Sequence, residues 1–196
     1  MAGETPRLTE KVLKYLQVEK DSHAMEQAAR LWNEAHRLLD MRRWRQLLPV
    51  NEFFLLFHSH ARQSRAITRL LADAHRVWLM AVSLGDGLER RSRHYFSQDE
   101  TFSGYILDRM GSYIVEEEMR NLDKEIVREC EREKIRTTRR YSPGYQDFSI
   151  AAQSVFLEMI GPNIPNLHLT PAGLMKPEKT ITAVKGVLRK ERLHVE

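Results

Sequence analysis

Leu107, Gly111, Val115, Met119, Leu122, Ile126 and Cys130 recur at spacings of three or four residues, a pattern that aligns on one side of an α-helix and scatters over both faces of a strand. The spacing predicts a single helix of about six turns. Such a helix needs a partner along its whole length, so the rest of the chain must fold against it. Gly111 lies inside the stripe, where glycine costs about 1 kcal/mol relative to alanine. Another backbone is therefore expected to approach closely at that point.

Shorter periodic segments surround this helix. Thr5 and Pro6 suit an N-cap and a first turn, and Val12, Leu13 and Leu16 behind them predict a short opening helix. Ser22 is placed to cap a second helix that carries Met25, Ala28, Trp32, Ala35 and Leu39 on one face and ends before Pro49. Phe53 to Phe57 is a compact apolar run that fits a buried strand, though a helix of that length has the same appearance. Ile67, Leu70, Leu71 and Ala74 suggest a further helix. Val77 to Val82 reads as a central strand stopping at Leu84-Gly85-Asp86-Gly87, where two glycines permit a turn. After a loop at Tyr141 to Tyr145, a helix from about Ser149 is expected to bury Ile150, Val155 and Met159 and to end at Pro162 and Pro165. Thr180 to Val187 alternates as a last strand. Helices and strands interleave without repeats or a regular βαβ rhythm, so the class expected is α+β, with one domain over residues 1–196.

Hydrophobic residues make up 42% of the chain and charged residues 30%, which fits neither a disordered segment nor a membrane protein. No apolar run approaches the roughly 18 residues that span a bilayer, and the first residues lack the pattern of a signal peptide. A cytoplasmic location without membrane contact is expected. Cys130 is the one cysteine, so neither an internal disulfide nor an all-thiolate metal site has enough ligands. The 31 basic and 27 acidic residues leave a net charge of +4, which permits an acidic partner without demanding one. Bases alternate with acids, as in Glu131-Arg132-Glu133-Lys134, in the manner of a solvated helix face. Arg42-Arg43-Trp44-Arg45 is a sharper cluster. It reads as an aromatic anchored in the core beside cations in water, with nucleic-acid binding a distant alternative because no second stacking platform follows nearby.

Three short motifs carry little. Asp21-Ser22-His23 resembles the start of a D-x-H-x-x-G corrinoid-ligand loop, but Glu26 replaces the glycine and the surrounding module is missing. His58 and His60 would share a face on a strand, and they lack a third metal ligand at recognisable spacing. Gly85-x-Gly87 has Arg90 where a dinucleotide fingerprint needs its third glycine.

The segment from Arg140 to Gln153 is different in kind. Pro143 and Gly144 impose a turn, Tyr141 and Tyr145 flank it with flat amphipathic rings, and Arg140 offers a planar fork for a carboxylate. These residues fit either a pocket for a zwitterionic or nucleoside-bearing ligand or a turn that caps a core.

Arg140-Tyr141-Ser142-Pro143-Gly144-Tyr145 resembles the Arg-x-x-Pro-Gly-Tyr loop of the reactivation domain of cobalamin-dependent methionine synthase. Val77 to Glu89, the helix from Ile106 to Glu116, and Leu169-Thr170 through Met175-x-Pro177 to Gly186 follow the family order. Lys11-Val12-Leu13-x-Tyr15-Leu16 is similar to the start of its stand-alone members. The resemblance implies an α+β fold around a twisted antiparallel sheet with packed helices. It implies a task in the reductive reactivation of a corrinoid methyltransferase: S-adenosylmethionine bound here would remethylate a cobalamin held by a partner protein, with proximity as the main contribution. Electrons would come from an external low-potential donor such as flavodoxin or ferredoxin, because the chain lacks a thiol pair or cluster ligands. By the loop match, Arg140 would hold the methionine carboxylate, Ser142 would belong to the site, Gly144 would allow close backbone approach and Tyr145 would line the donor pocket. Glu116 would add an acidic contact. Two stretches depart from the family: Thr170-Pro171-Ala172 stands where Thr-Glu-Ser is common, and Ala183-Val184-Lys185 lacks an aromatic pair. The second departure implies weaker adenosine binding or a changed ligand, and the loss of the Glu-Ser pair favours the alternative of a non-catalytic protein that chaperones or gates a corrinoid protein without using S-adenosylmethionine.

Overall fold

The computed structural model describes residues 6–20 and 23–189. Its centre is β2, Ala74–Ser83, whose side chains are buried on both faces of a three-stranded antiparallel sheet. β1, Arg42–Pro49, pairs with one edge of β2 and β5, Thr180–Leu188, with the other; Trp44 stands opposite Ala81, and Val184 opposite Leu79. A near-continuous apolar run from Val77 to Val82 is what a strand covered on both sides requires.

Alternation along β2 sends Met80 and Val82 to one face, where they meet α1 (Glu10–Leu16), α2 (His23–Arg37), α6 (Gly87–Ser97) and α7 (Thr101–Arg132). Val77, Leu79 and Ala81 face the other way, into a core that holds Phe53, Phe57, Phe148 and Phe156. That second layer is built from α3 (Val50–Leu56), α4 (His58–Arg62), α5 (Arg65–Leu70) and α8 (Gln153–Ile160). Phe57 lies 4.6 Å from the Phe53 ring and 5.3 Å from Phe156, contacts that add about 0.5–1.5 kcal/mol each beyond area burial. A small hairpin of β3 (His168–Leu169) and β4 (Met175–Lys176) precedes β5. The architecture is α+β around an antiparallel sheet, as expected.

The long stripe is buried over its full length on α7, from Leu107 to Cys130. Burial also pushes the Cys130 thiol up from its ordinary pKa. Gly111, however, meets side chains: an added Cβ there would touch Lys179 Cε at 3.0 Å and Leu88 Cδ1 at 3.2 Å. The close backbone approach is two turns earlier, at Gly104, where an added Cβ would lie 3.0 Å from Ser92 O, and Ser92 Oγ donates to Gly104 O at 2.8 Å. α6, the helix that makes this contact, is mostly polar and buries only Leu88, Glu89 and Ser92, so apolar periodicity does not reveal it.

Other expectations shift in position. Phe53 to Phe57 is helical, and the strand is the preceding Arg42–Pro49, whose arginines conceal its alternation. Arg43 and Arg45 reach Glu125 and Glu129 on α7 at 2.7 and 2.8 Å, while Leu48 enters the opposite core and Trp44 packs against it. Charged side chains and a terminal proline are usual on an edge strand. Ala152 on a 3-10 turn at Ile150–Ala152, then Phe156 and Ile160 on α8, are buried in place of Ile150, Val155 and Met159, because the turn sets the phase of the helix. α2 ends at Arg37, leaving Leu39 beyond it, and Ala74 opens β2 instead of extending α5. Thr5, Asp21 and Ser22 lie outside the described residues.

Candidate binding cleft

After α7 the chain turns back along the outer edge of β5. Leu188 N–H donates to Arg136 O at 2.9 Å, Thr138 N–H to Gly186 O at 2.9 Å, and Tyr141 and Val184 exchange two bonds of 2.8 Å. The segment then leaves the sheet at Ser142, so the start of β5, Thr180 to Ala183, has no strand beside it on that edge among the described residues. Pro143 and Gly144 make the departure possible. Gly144 has φ +91°, where a side chain would be strained, and its N–H donates to Phe148 O at 2.7 Å.

Buried Tyr141 and Phe148 pin the two sides of this turn to the core. A third anchor is Asp147, which accepts from Ser64 Oγ at 2.7 Å and from the N–H groups of Arg65 and Ala66 at 2.7 and 3.2 Å. The Ser64 hydroxyl first, and these amides with it, hold the Asp147 carboxyl below its usual range.

Between this turn, α7 and the open part of β5 is a cleft of about 540 Å³, within the size range of small-molecule sites. α7 contributes Glu116 and Arg120, the turn contributes Arg139 to Pro143 and Tyr145, α8 contributes Gln153, and β5 contributes Thr180 to Thr182. Arg140 donates through Nη2 to Glu116 Oε1, and Arg120 Nε lies 3.4 Å from the same oxygen. Arg139 takes a different course, with its guanidinium 5.6 Å from the centre of the Tyr141 ring. Tyr145 is 65% exposed, leaving its ring at the mouth. One carboxylate among three guanidinium groups gives the cleft an excess of positive charge, together with an anion that can meet a ligand's ammonium group.

Arg140, Ser142, Tyr145 and Glu116 are therefore brought together, although Glu116 is 24 residues from Arg140 in the chain. Gly144 shapes the turn without lining the cleft. Arg120, Gln153 and the Thr180–Thr182 stretch were not legible as site residues. The available signal was the phase of α8, which sets polar Gln153 on the buried face with Phe156 and Ile160. Thr170 closes the β3–β4 hairpin through its hydroxyl, 3.1 Å from Leu174 N, and Lys185 is buried against Asp123 at 2.8 Å. His23 is exposed beside Glu26, and His58 and His60 sit on α4 rather than on a strand. Among the described residues no group of three metal-ligating side chains gathers, and no helix is long and apolar enough to cross a membrane.

An antiparallel sheet packed by helices on both faces is an arrangement found among solved structures. No protein-family model and no curated protein matches the sequence. The chain is similar in structure to the MetH reactivation domain, in a crystal structure with AdoHcy bound. The TM-score is 0.58, and the alignment covers 98% of this chain and 72% of that one at 13% sequence identity. At that identity the likeness is one of fold.

Proposed function

We propose that this chain binds S-adenosylmethionine, and its demethylated product, in the cleft beside the Arg140–Tyr145 turn. In this reading it presents the methyl donor to a corrinoid carried by a separate methyltransferase subunit. The observation that carries the proposal is the meeting of Arg140 and Glu116 in a cleft of suitable size, on a fold shared with a reactivation domain that was crystallised with AdoHcy.

The residues fit such a ligand. The amino-acid end of S-adenosylmethionine carries a carboxylate and an ammonium group, and Arg140 and Glu116 supply the two opposite charges. The Arg140 fork already holds a carboxylate, that of Glu116, so a ligand carboxylate would share or replace an existing geometry. S-adenosylmethionine supplies a methyl group on a positively charged sulfur. The chain's own part is to bind, orient and expose it, which removes the entropy cost of bringing two reactants together. Electrons for cobalt would come from an external low-potential donor such as flavodoxin or ferredoxin, and partners of that kind would put the chain in the cytoplasm.

A second reading keeps the corrinoid partner and dispenses with the methyl donor: a non-catalytic chaperone or gate. It is favoured by Glu116, which occupies Arg140 with the protein's own carboxylate. Isothermal titration with S-adenosylmethionine and AdoHcy separates the two. Saturable one-to-one binding supports the first, and no heat at millimolar ligand supports the second.

A further inference from the structure

Gln153 is 8% exposed, on the face of α8 that also carries Phe156 and Ile160. Its Oε1 accepts a buried 2.7 Å hydrogen bond from Thr182 Oγ1. That bond uses the carbonyl side of the carboxamide and fixes its plane, leaving the amide nitrogen with two donors to place. Among the described residues no acceptor meets this nitrogen, and it is not one of the sealed polar atoms, which belong to His75, Trp78, Arg109 and Asp123. Both Gln153 and Thr182 line the cleft, which is the space open to the free donors.

The main chain of β5 adds to this arrangement. Val184 directs its N–H and C=O to Tyr141, away from β2. Alternation along an antiparallel strand turns the same groups of Thr182 toward that outer edge, where Tyr141 is the last residue to pair. Fixed donors and an acceptor thus stand on the β5 side of the cleft, where the lining residues Thr180, Ile181 and Thr182 carry no charge. The cationic and acidic side chains belong to α7 and to the segment before the turn.

We infer that Gln153, oriented by Thr182, is a specificity-determining residue that donates a hydrogen bond to the uncharged nucleoside part of the ligand. The inference rests on the proposed S-adenosylmethionine site and assigns its two ends: the amino-acid end to Arg140 and Glu116, the nucleoside to Gln153 and the edge of β5. A nucleoside offers ring nitrogens and ribose oxygens as acceptors, and a buried donor left without one is costly.

The test uses AdoHcy by isothermal titration, and adenosine as a competitor of AdoHcy, on the wild type, Gln153→Leu and Arg140→Ala. Gln153→Leu is expected to weaken both ligands by roughly three- to tenfold, the value of one neutral hydrogen bond. Arg140→Ala is expected to weaken AdoHcy and leave adenosine unchanged. The double variant Gln153→Leu/Thr182→Val removes both buried polar partners, so it keeps the fold and should bind no worse than Gln153→Leu alone; thermal melts check folding. Wild-type AdoHcy affinity in a folded Gln153 variant overturns the inference while leaving the proposed site intact. So does a loss confined to AdoHcy, or a failure of adenosine to compete with AdoHcy on the wild type. No AdoHcy binding by the wild type overturns the functional reading and this inference with it.

Discussion

Arg140 and Glu116 form an ion pair inside the cleft, with side chains 23% and 35% exposed. The pair is accessible enough to exchange partners and enclosed enough for a new partner to matter. Replacing Arg140 by alanine removes a charged donor worth roughly 1.5–3 kcal/mol, so S-adenosylmethionine affinity should fall about ten- to a hundredfold. Arg139→Ala, which loses a contact with the Tyr141 ring, should change affinity little. Calorimetric titration of both variants checks the contrast, and equal losses would indicate a diffuse basic surface.

Glu116→Gln separates two roles of the carboxylate. If Glu116 meets the ligand's ammonium group, AdoHcy binds more weakly to the variant, whereas an analogue without the amino group binds as well or better. Titrating both ligands reads the difference. Tighter binding of AdoHcy itself would mean that Glu116 only competes for Arg140.

Val115 is 4% exposed on the α7 stripe, one residue before Glu116. Val115→Asp leaves an unpaired charge in the core and should destabilise the fold by about 3–5 kcal/mol. Chemical denaturation measures it. Wild-type stability in this variant would contradict the packing of α7 on the sheet.

Asp147 ties the turn to the start of α5, and its carboxyl is held below the usual range by the Ser64 hydroxyl and two amides. A carboxyl with a depressed folded-state pKa contributes stability above its unfolded value, near 4, and loses it as pH falls through the folded value. Asp147→Asn should therefore be less stable at neutral pH and should show a shallower decline as pH falls below about 4. Urea melts across that range give the slope. An unchanged slope would mean that the carboxylate is not held as described.

The purified chain should retain no corrinoid, since its role in the proposed reaction is to meet one carried elsewhere. An absorbance spectrum of the purified protein settles the matter, and stoichiometric corrinoid would overturn that division of labour.

The sequence was informative where burial imposes a period. The α7 stripe, the Val77 to Val82 strand and the Thr180 to Val187 strand are each apolar because both sides or one full face are covered. It was silent where charged side chains perform packing. β1 hides behind Arg43 and Arg45, whose ion pairs with Glu125 and Glu129 join an edge strand to a helix 80 or so residues away, a distance no local pattern records. The turn at Arg140 was visible because proline and glycine act locally. The cleft around it needed Glu116, Gln153 and Thr182 to converge from three elements, and only the path of the chain brings them together.

The two helical layers on either side of the sheet have separate cores, and the cleft draws its walls from both: Glu116 and Arg120 from one, Gln153 and the turn from the other. A molecule seated there would act as a rivet through the edge of the sandwich. Its grip would depend on both layers holding station, and their breathing apart would cost the bound contacts as well as the packing. Occupancy should then slow amide exchange in α7 and α8 together, adding to the link that the Arg140–Glu116 pair already makes between the two layers.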